Sequence, residues 1–134
     1  MLRTLFISFI CLLLIASCAK KDEGPASLEG HWAAESQTDY VNQVSGGLVA
    51  EGPASLVGAW EADITPDSLN YFYINNGSRL RTNYFAYTRQ GNLLTNLSTG
   101  ATIEVTELTA HALTLRFNSL VPTRVAYADY RFTR

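Results

Sequence analysis

The chain has 134 residues, a formal net charge of −2 and 16% charged residues. That length suits one domain. Lys and Arg are scattered and no basic patch exists, so nucleic acid is not an expected partner, and there is neither an acidic tail nor a low-complexity tract.

The first eighteen residues read MLRTLFISFICLLLIASC. Arg3 supplies one cation, Leu5 to Ala16 is apolar apart from Ser8, and small residues follow. This is the layout of a signal peptide, and the apolar run is shorter than the roughly 20 residues a bilayer-spanning helix needs. Ile15-Ala16-Ser17-Cys18 resembles the lipobox of bacterial lipoproteins. In that family the cysteine takes a diacylglycerol thioether, the signal is cut before it, and the new amino group is acylated. The resemblance implies residues 1–17 as a removed signal, Cys18 as the lipidated first residue, and an outer-membrane protein facing the periplasm or the cell surface. Several acyl chains on one residue exceed the two membrane signals that stable anchoring requires. Residues 18–27 then read as a flexible tether and 28–134 as the folded domain. Ala19-Lys20-Lys21-Asp22-Glu23 resembles a surface-export signal of one large group of Gram-negative bacteria; by composition alone it is a solvated linker.

The segment from Cys18 onward has 117 residues, with nine Lys/Arg (Arg3 being removed) against twelve Asp/Glu. A chain of this size buries about 65% of its unfolded surface, enough for one core. Cys11 lies in the signal, so no disulfide is available and stability must come from packing.

The rest of the chain has a β pattern. Residues 23–32, EGPASLEGHW, recur as residues 51–60, EGPASLVGAW, matching at eight of ten positions twenty-eight residues apart. Two copies do not make a repeat architecture. In each, Gly precedes Trp by two residues, so in a strand the Gly makes room on the face that the indole fills. Trp32 reads as opening the first strand and Trp60 as lying on the third or fourth; a rival register makes residues 33–50 an inserted hairpin and Trp60 the true barrel start. Ser45-Gly46-Gly47 joins TDYVNQV to LVAE, Asn75-Asn76-Gly77 joins LNYFYI to SRLRTNYFAYT, and Gln90-Gly91-Asn92 opens NLLTNL. Asn-Gly is a strong hairpin signal because both turn positions need positive φ. Ile64 to Ser68 offers at most one helical turn. In TIEVTEL, Ile103 and Val105 share a face; in ALTLRF, Leu113, Leu115 and Phe117 do; in the last strand Ala126, Ala128, Tyr130 and Phe132 alternate against Tyr127, Asp129 and Arg131. Period two with one apolar face means antiparallel strands over a core. The expectation is an all-β, up-and-down barrel of about 8–10 strands, with a sandwich as the alternative.

Leu28-x-Gly30-x-Trp32, the Asn76-Gly77 hairpin, IEVTELTAHALTLRF and the closing YRFTR resemble the small lipocalin-like lipoproteins of bacteria. That resemblance implies a barrel whose Trp32 packs across the closed end, covered by an Arg of the last strand, Arg131 or Arg134. It also implies a non-catalytic, monomeric binder of a small apolar or amphipathic molecule.

The residues offer little chemistry. His31 and His111 have no Cys, His, Asp or Glu at metal-ligand spacing and read as solvated imidazoles. Glu61 and Asp63 share a strand face, with Glu104 on another; an outward solvated face explains them better than acid–base work. Asp67-Ser68-Leu69 resembles a short O-glycosylation signal. No catalytic residue, metal or cofactor is expected. Trp32, Trp60, Tyr71, Tyr73, Tyr84 and Tyr87 are the candidate ligand contacts, since aromatics around the Asn-Gly turn occupy both strand faces and a barrel has one inside. The alternative is a ligand-free module that binds another envelope protein through exposed Tyr-rich strands, for which Tyr71, Tyr73 and Tyr87 would have to form a surface patch.

Overall fold

The computed structural model describes residues 26–119 and 124–134. The signal segment 1–17, Cys18 and the tether up to residue 25 lie outside the described residues. Nine strands follow one another: β1 (Gly30–Asn42), β2 (Leu48–Ser55), β3 (Trp60–Ile64), β4 (Ser68–Asn75), β5 (Ser78–Gln90), β6 (Leu93–Asn96), β7 (Thr102–Leu108), β8 (Ala112–Asn118) and β9 (Val125–Thr133). All neighbours are antiparallel, and β1 also pairs with β9. Eight strands, β1 and β3 to β9, therefore close into an up-and-down barrel, and β2 is an extra strand. Closure covers the β9 edge that an open sheet would present, while one edge of β2 stays without a strand partner among the described residues.

The turns follow the local chemistry. Asn76 and Gly77 take φ of 48° and 76°, the left-handed geometry that joins β4 to β5. The β3–β4 connection is a tight turn rather than the helical turn that residues 64 to 68 suggested. Ser68 N–H donates to Thr65 Oγ1 at 3.0 Å and Thr65 N–H to the Ser68 carbonyl at 2.9 Å. The Thr side chain satisfies the donor that a helix would have used.

β1 serves two partners on one edge. Gly30 to Ala33 pair with β3, and Ser36 to Asn42 pair with β2. Along the other edge β1 runs against β9 from Ala33↔Thr133 to Val41↔Val125. A register shift between Ala34 and Ser36 moves the inward face from even to odd positions. An extra residue in one strand of a pair has this effect.

The barrel has two unlike ends. Trp32, Leu69, Leu94, Leu113, Leu115 and Phe132 are fully buried and fill the end where β1 starts and β9 finishes. Trp32 donates Nε1–H to the Leu28 carbonyl at 2.9 Å. Arg134 lies 4.1 Å over its ring and donates to the carbonyls of Ala110, Glu29 and Ser27. Arg134, not Arg131, is thus the cover; Arg131 pairs with Glu35 at 3.1 Å. At the other end β6 has four residues, so among the described residues Ser78 to Phe85 of β5 have β4 as their one strand neighbour.

Both Trp residues belong to one barrel. Trp32 opens it, and Trp60 begins β3 at the opposite end of the neighbouring strand, since Trp32 is level with Ala62.

Candidate functional site

The open end holds a cavity of about 520 Å³. Its rings are Trp60 from β3, Tyr71 from β4, Phe117 from β8, and Tyr130 and Phe132 from β9. Gln37 from β1 and Thr82 and Asn83 from β5 add polar groups; Ala34, Leu56 and Ala128 complete the wall. The space exists because two inward positions, Ala34 and Ala128, are small while the opposing rings are held apart by the barrel. An eight-stranded barrel is just wide enough to be filled by its own side chains or to hold one small ligand.

Tyr71 is the centre of the aromatic packing. Its ring centroid lies 6.3 Å from Phe85, 6.0 Å from Phe117 and 6.4 Å from Phe132. The ring lines the cavity, whereas the hydroxyl is buried with no hydrogen-bond partner among the described residues. Burial pushes its pKa well above the usual phenol value, and Tyr130 adds to the effect. Tyr130 is raised too, by burial and then by Asp39. Asp39 sits level with Ala128 on the inward face of β1 and accepts a hydrogen bond from Gln37 Nε2 at 2.8 Å. Phenols here stay neutral at physiological pH.

The six aromatic candidates separate by position. Trp60 and Tyr71 line the cavity. Tyr73 packs at the rim, 5.2 Å from Trp60. Trp32 and Tyr87 lie in the buried core below, and Tyr87 donates its hydroxyl to the Thr65 carbonyl at 2.5 Å. Tyr84 is on the outer face, 54% exposed, beneath Arg81. Tyr71, Tyr73 and Tyr87 therefore do not form one surface patch. Gln37, Asn83, Phe117, Tyr130 and Phe132 were not among the candidates. Alternation in β8 and β9 already put the last three inward, but depth along the barrel decides which of them meets open space.

The outer wall carries a charged cluster across β1, β3 and β5. His31 Nδ1 is 2.8 Å from Asp63, and Arg79 bridges Asp63 (2.9 Å) and Glu61 while covering the Phe72 ring at 3.8 Å. His31 is thus hydrogen-bonded rather than simply solvated, through a partner on the neighbouring strand. Burial would raise the Asp63 carboxyl, but the hydrogen bonds from His31 and Arg79 outweigh it and hold the pKa below the usual value. With both carboxylates tied to a cation on a convex wall, the cluster braces β1, β3 and β5. Among the described residues no three His, Cys, Asp or Glu are grouped to hold a metal. Ser68 is buried and its hydroxyl is 2.6 Å from Thr65 Oγ1, so it is not presented for modification.

Comparison with family models, with curated proteins and with solved structures finds no match to this chain.

Proposed function

We propose that this chain is a non-catalytic, lipid-anchored envelope protein whose lipocalin-like barrel binds a small apolar or amphipathic molecule in its open end. The observation that carries the reading is the aromatic cavity of about 520 Å³ above a filled core. Ligand pockets fall in this size range and combine mostly apolar walls with a few polar groups. Trp32 capped by Arg134 at the closed end adds support, since this pairing is what the lipocalin-like resemblance implies.

The anchor reading adds an orientation. Arg134 holds the Ser27 carbonyl at the closed end. Cys18 is nine residues earlier, within about 30 Å of extended chain. A lipid on Cys18 would therefore tether the chain from its closed-end side.

Native mass spectrometry of the Cys18→Ser chain from its own host tests the binding. A reproducible extra mass, lost on denaturation, supports it and identifies the ligand; a bare mass contradicts it. The same variant should leave the membrane fraction, and if it stays there the anchor reading is wrong.

One observation favours the alternative of an interaction module. Every residue of β2 is exposed, and among the described residues its only strand partner is β1. A strand edge of this kind can pair with another chain. Cross-linking from β2 in envelope extracts would reveal such a partner.

A further inference from the structure

We propose, resting on the ligand-binding reading above, that the cavity selects an uncharged, ring-bearing amphiphile and rejects anionic ones such as free fatty acids.

The wall chemistry argues for neutrality. None of the described lining residues carries a charge; the polar groups are the Gln37 and Asn83 amides and the Thr82 and Tyr130 hydroxyls. These donate to and accept from neutral carbonyl or hydroxyl groups. A buried carboxylate or sulfonate would need a cation beside it, because an unpaired charge out of water is costly. The described cations nearest the cavity are turned elsewhere: Arg81, next to the lining Thr82, lies 5.8 Å from the ring of the exposed Tyr84 on the outer face. Arg79 is tied to Glu61 and Asp63 on the outer wall, Arg116 forms a two-bond pair with Asp129, and Arg124 is paired with Glu51.

The mouth strengthens the bias. Asp39 shares the inward face with Gln37 and Ala128, and its carboxylate accepts a hydrogen bond from the neutral Gln37 amide rather than from a cation. An anion entering past Gln37 meets a like charge in a partly desolvated setting, where Coulomb repulsion is stronger than in bulk water.

Ring preference follows from the five aromatic side chains. Rings stack face or edge on such walls and gain beyond the area they bury. A flexible acyl chain would instead lose the freedom of many torsions on entering.

A matched pair of dyes separates these ideas. N-phenyl-1-naphthylamine is neutral, and 8-anilinonaphthalene-1-sulfonate has the same rings plus a sulfonate. Titration of the Cys18→Ser chain should give a Kd at least about tenfold lower for the neutral dye, and palmitate should not displace it. Asp39→Asn should narrow the ratio between the dyes by roughly threefold or more, since it removes the like charge and keeps an acceptor for Gln37. Equal or tighter binding of the sulfonate, or displacement by palmitate, overturns the proposed class while leaving cavity binding intact. An unchanged ratio in Asp39→Asn overturns the role of Asp39. If neither dye nor palmitate binds, the ligand-binding reading itself falls.

Discussion

The two copies of EGPASL-x-G-x-W have nearly the same residues and opposite fates. In the first, Gly30 has φ +128° and a Cβ there would lie 3.2 Å from Arg134, whose guanidinium covers Trp32. In the second, Gly58 has φ +72° with open space around it, and it serves a turn closed by Ala59 N–H on the Leu56 carbonyl at 3.0 Å. Trp32 is 0% exposed, while Trp60 lines the cavity. One motif thus closes the barrel and the other borders its mouth. Local sequence fixes the Gly-to-Trp geometry, and neighbouring strands decide its use. For Trp32 those neighbours include Arg134, which comes from the far end of the chain.

The sharpest way to break this comparison is to truncate each indole. Trp32→Ala should cost about 3–5 kcal/mol, as for other fully buried aromatics. Trp60→Ala should cost no more than about 1–2 kcal/mol, because its ring already borders open space. Urea unfolding of both variants reads the difference, and equal costs would mean the two ends are equally packed.

Arg134→Met removes the cation over Trp32 and its hydrogen bonds to three carbonyls. We expect a loss of about 1–2 kcal/mol after allowing for solvent screening. Arg131→Met breaks an exposed pair with Glu35 and should cost about 0–1 kcal/mol. If the two were reversed, Arg131 would be the cover.

The tyrosines give a smaller contrast of the same kind. Tyr87→Phe leaves the Thr65 carbonyl without its phenol donor and should lose about 1 kcal/mol. Tyr71→Phe removes a buried hydroxyl with no hydrogen-bond partner among the described residues and should be neutral or stabilising. The denaturation midpoint should fall for Tyr87→Phe and stay or rise for Tyr71→Phe.

A last effect appears only at high pH. Burial raises the phenols of Tyr71, Tyr87 and Tyr130 above 10 in the folded state. Unfolded tyrosines ionise near 10, so above that pH the unfolded chain holds fewer protons and stability falls as pH rises. Their contribution is intact below about pH 10. Absorbance titration should show a late-ionising group of phenols that merges with the rest on unfolding.

Most of the fold was legible because its signals are local. Period-two alternation in β7, β8 and β9 and the Asn76-Gly77 turn depend on nearest neighbours. The site was less legible for two reasons. Counting by twos from Trp32 puts Ser36 and Thr38 inward, but the shift after Ala34 brings Gln37 and Asp39 there instead. A second shift, between Tyr71 and Phe72, sets which β5 residues face them. Asn83 and Phe85 end up inward while Tyr84 points out. Such bulges flip faces without a distinctive residue. Nor does alternation report depth: Trp32, Trp60 and Tyr87 all point inward, yet only Trp60 reaches the cavity.

Amide hydrogen exchange, with and without N-phenyl-1-naphthylamine, tests the two-ended account most directly. The account predicts slow exchange around Trp32, Ile64, Val105, Leu113 and Phe132, and fast exchange in β2 and the β4–β5 tip. It predicts added protection on dye binding confined to the segments that line the cavity. Uniform exchange along the barrel, or dye protection centred on Trp32 and Arg134, would contradict it.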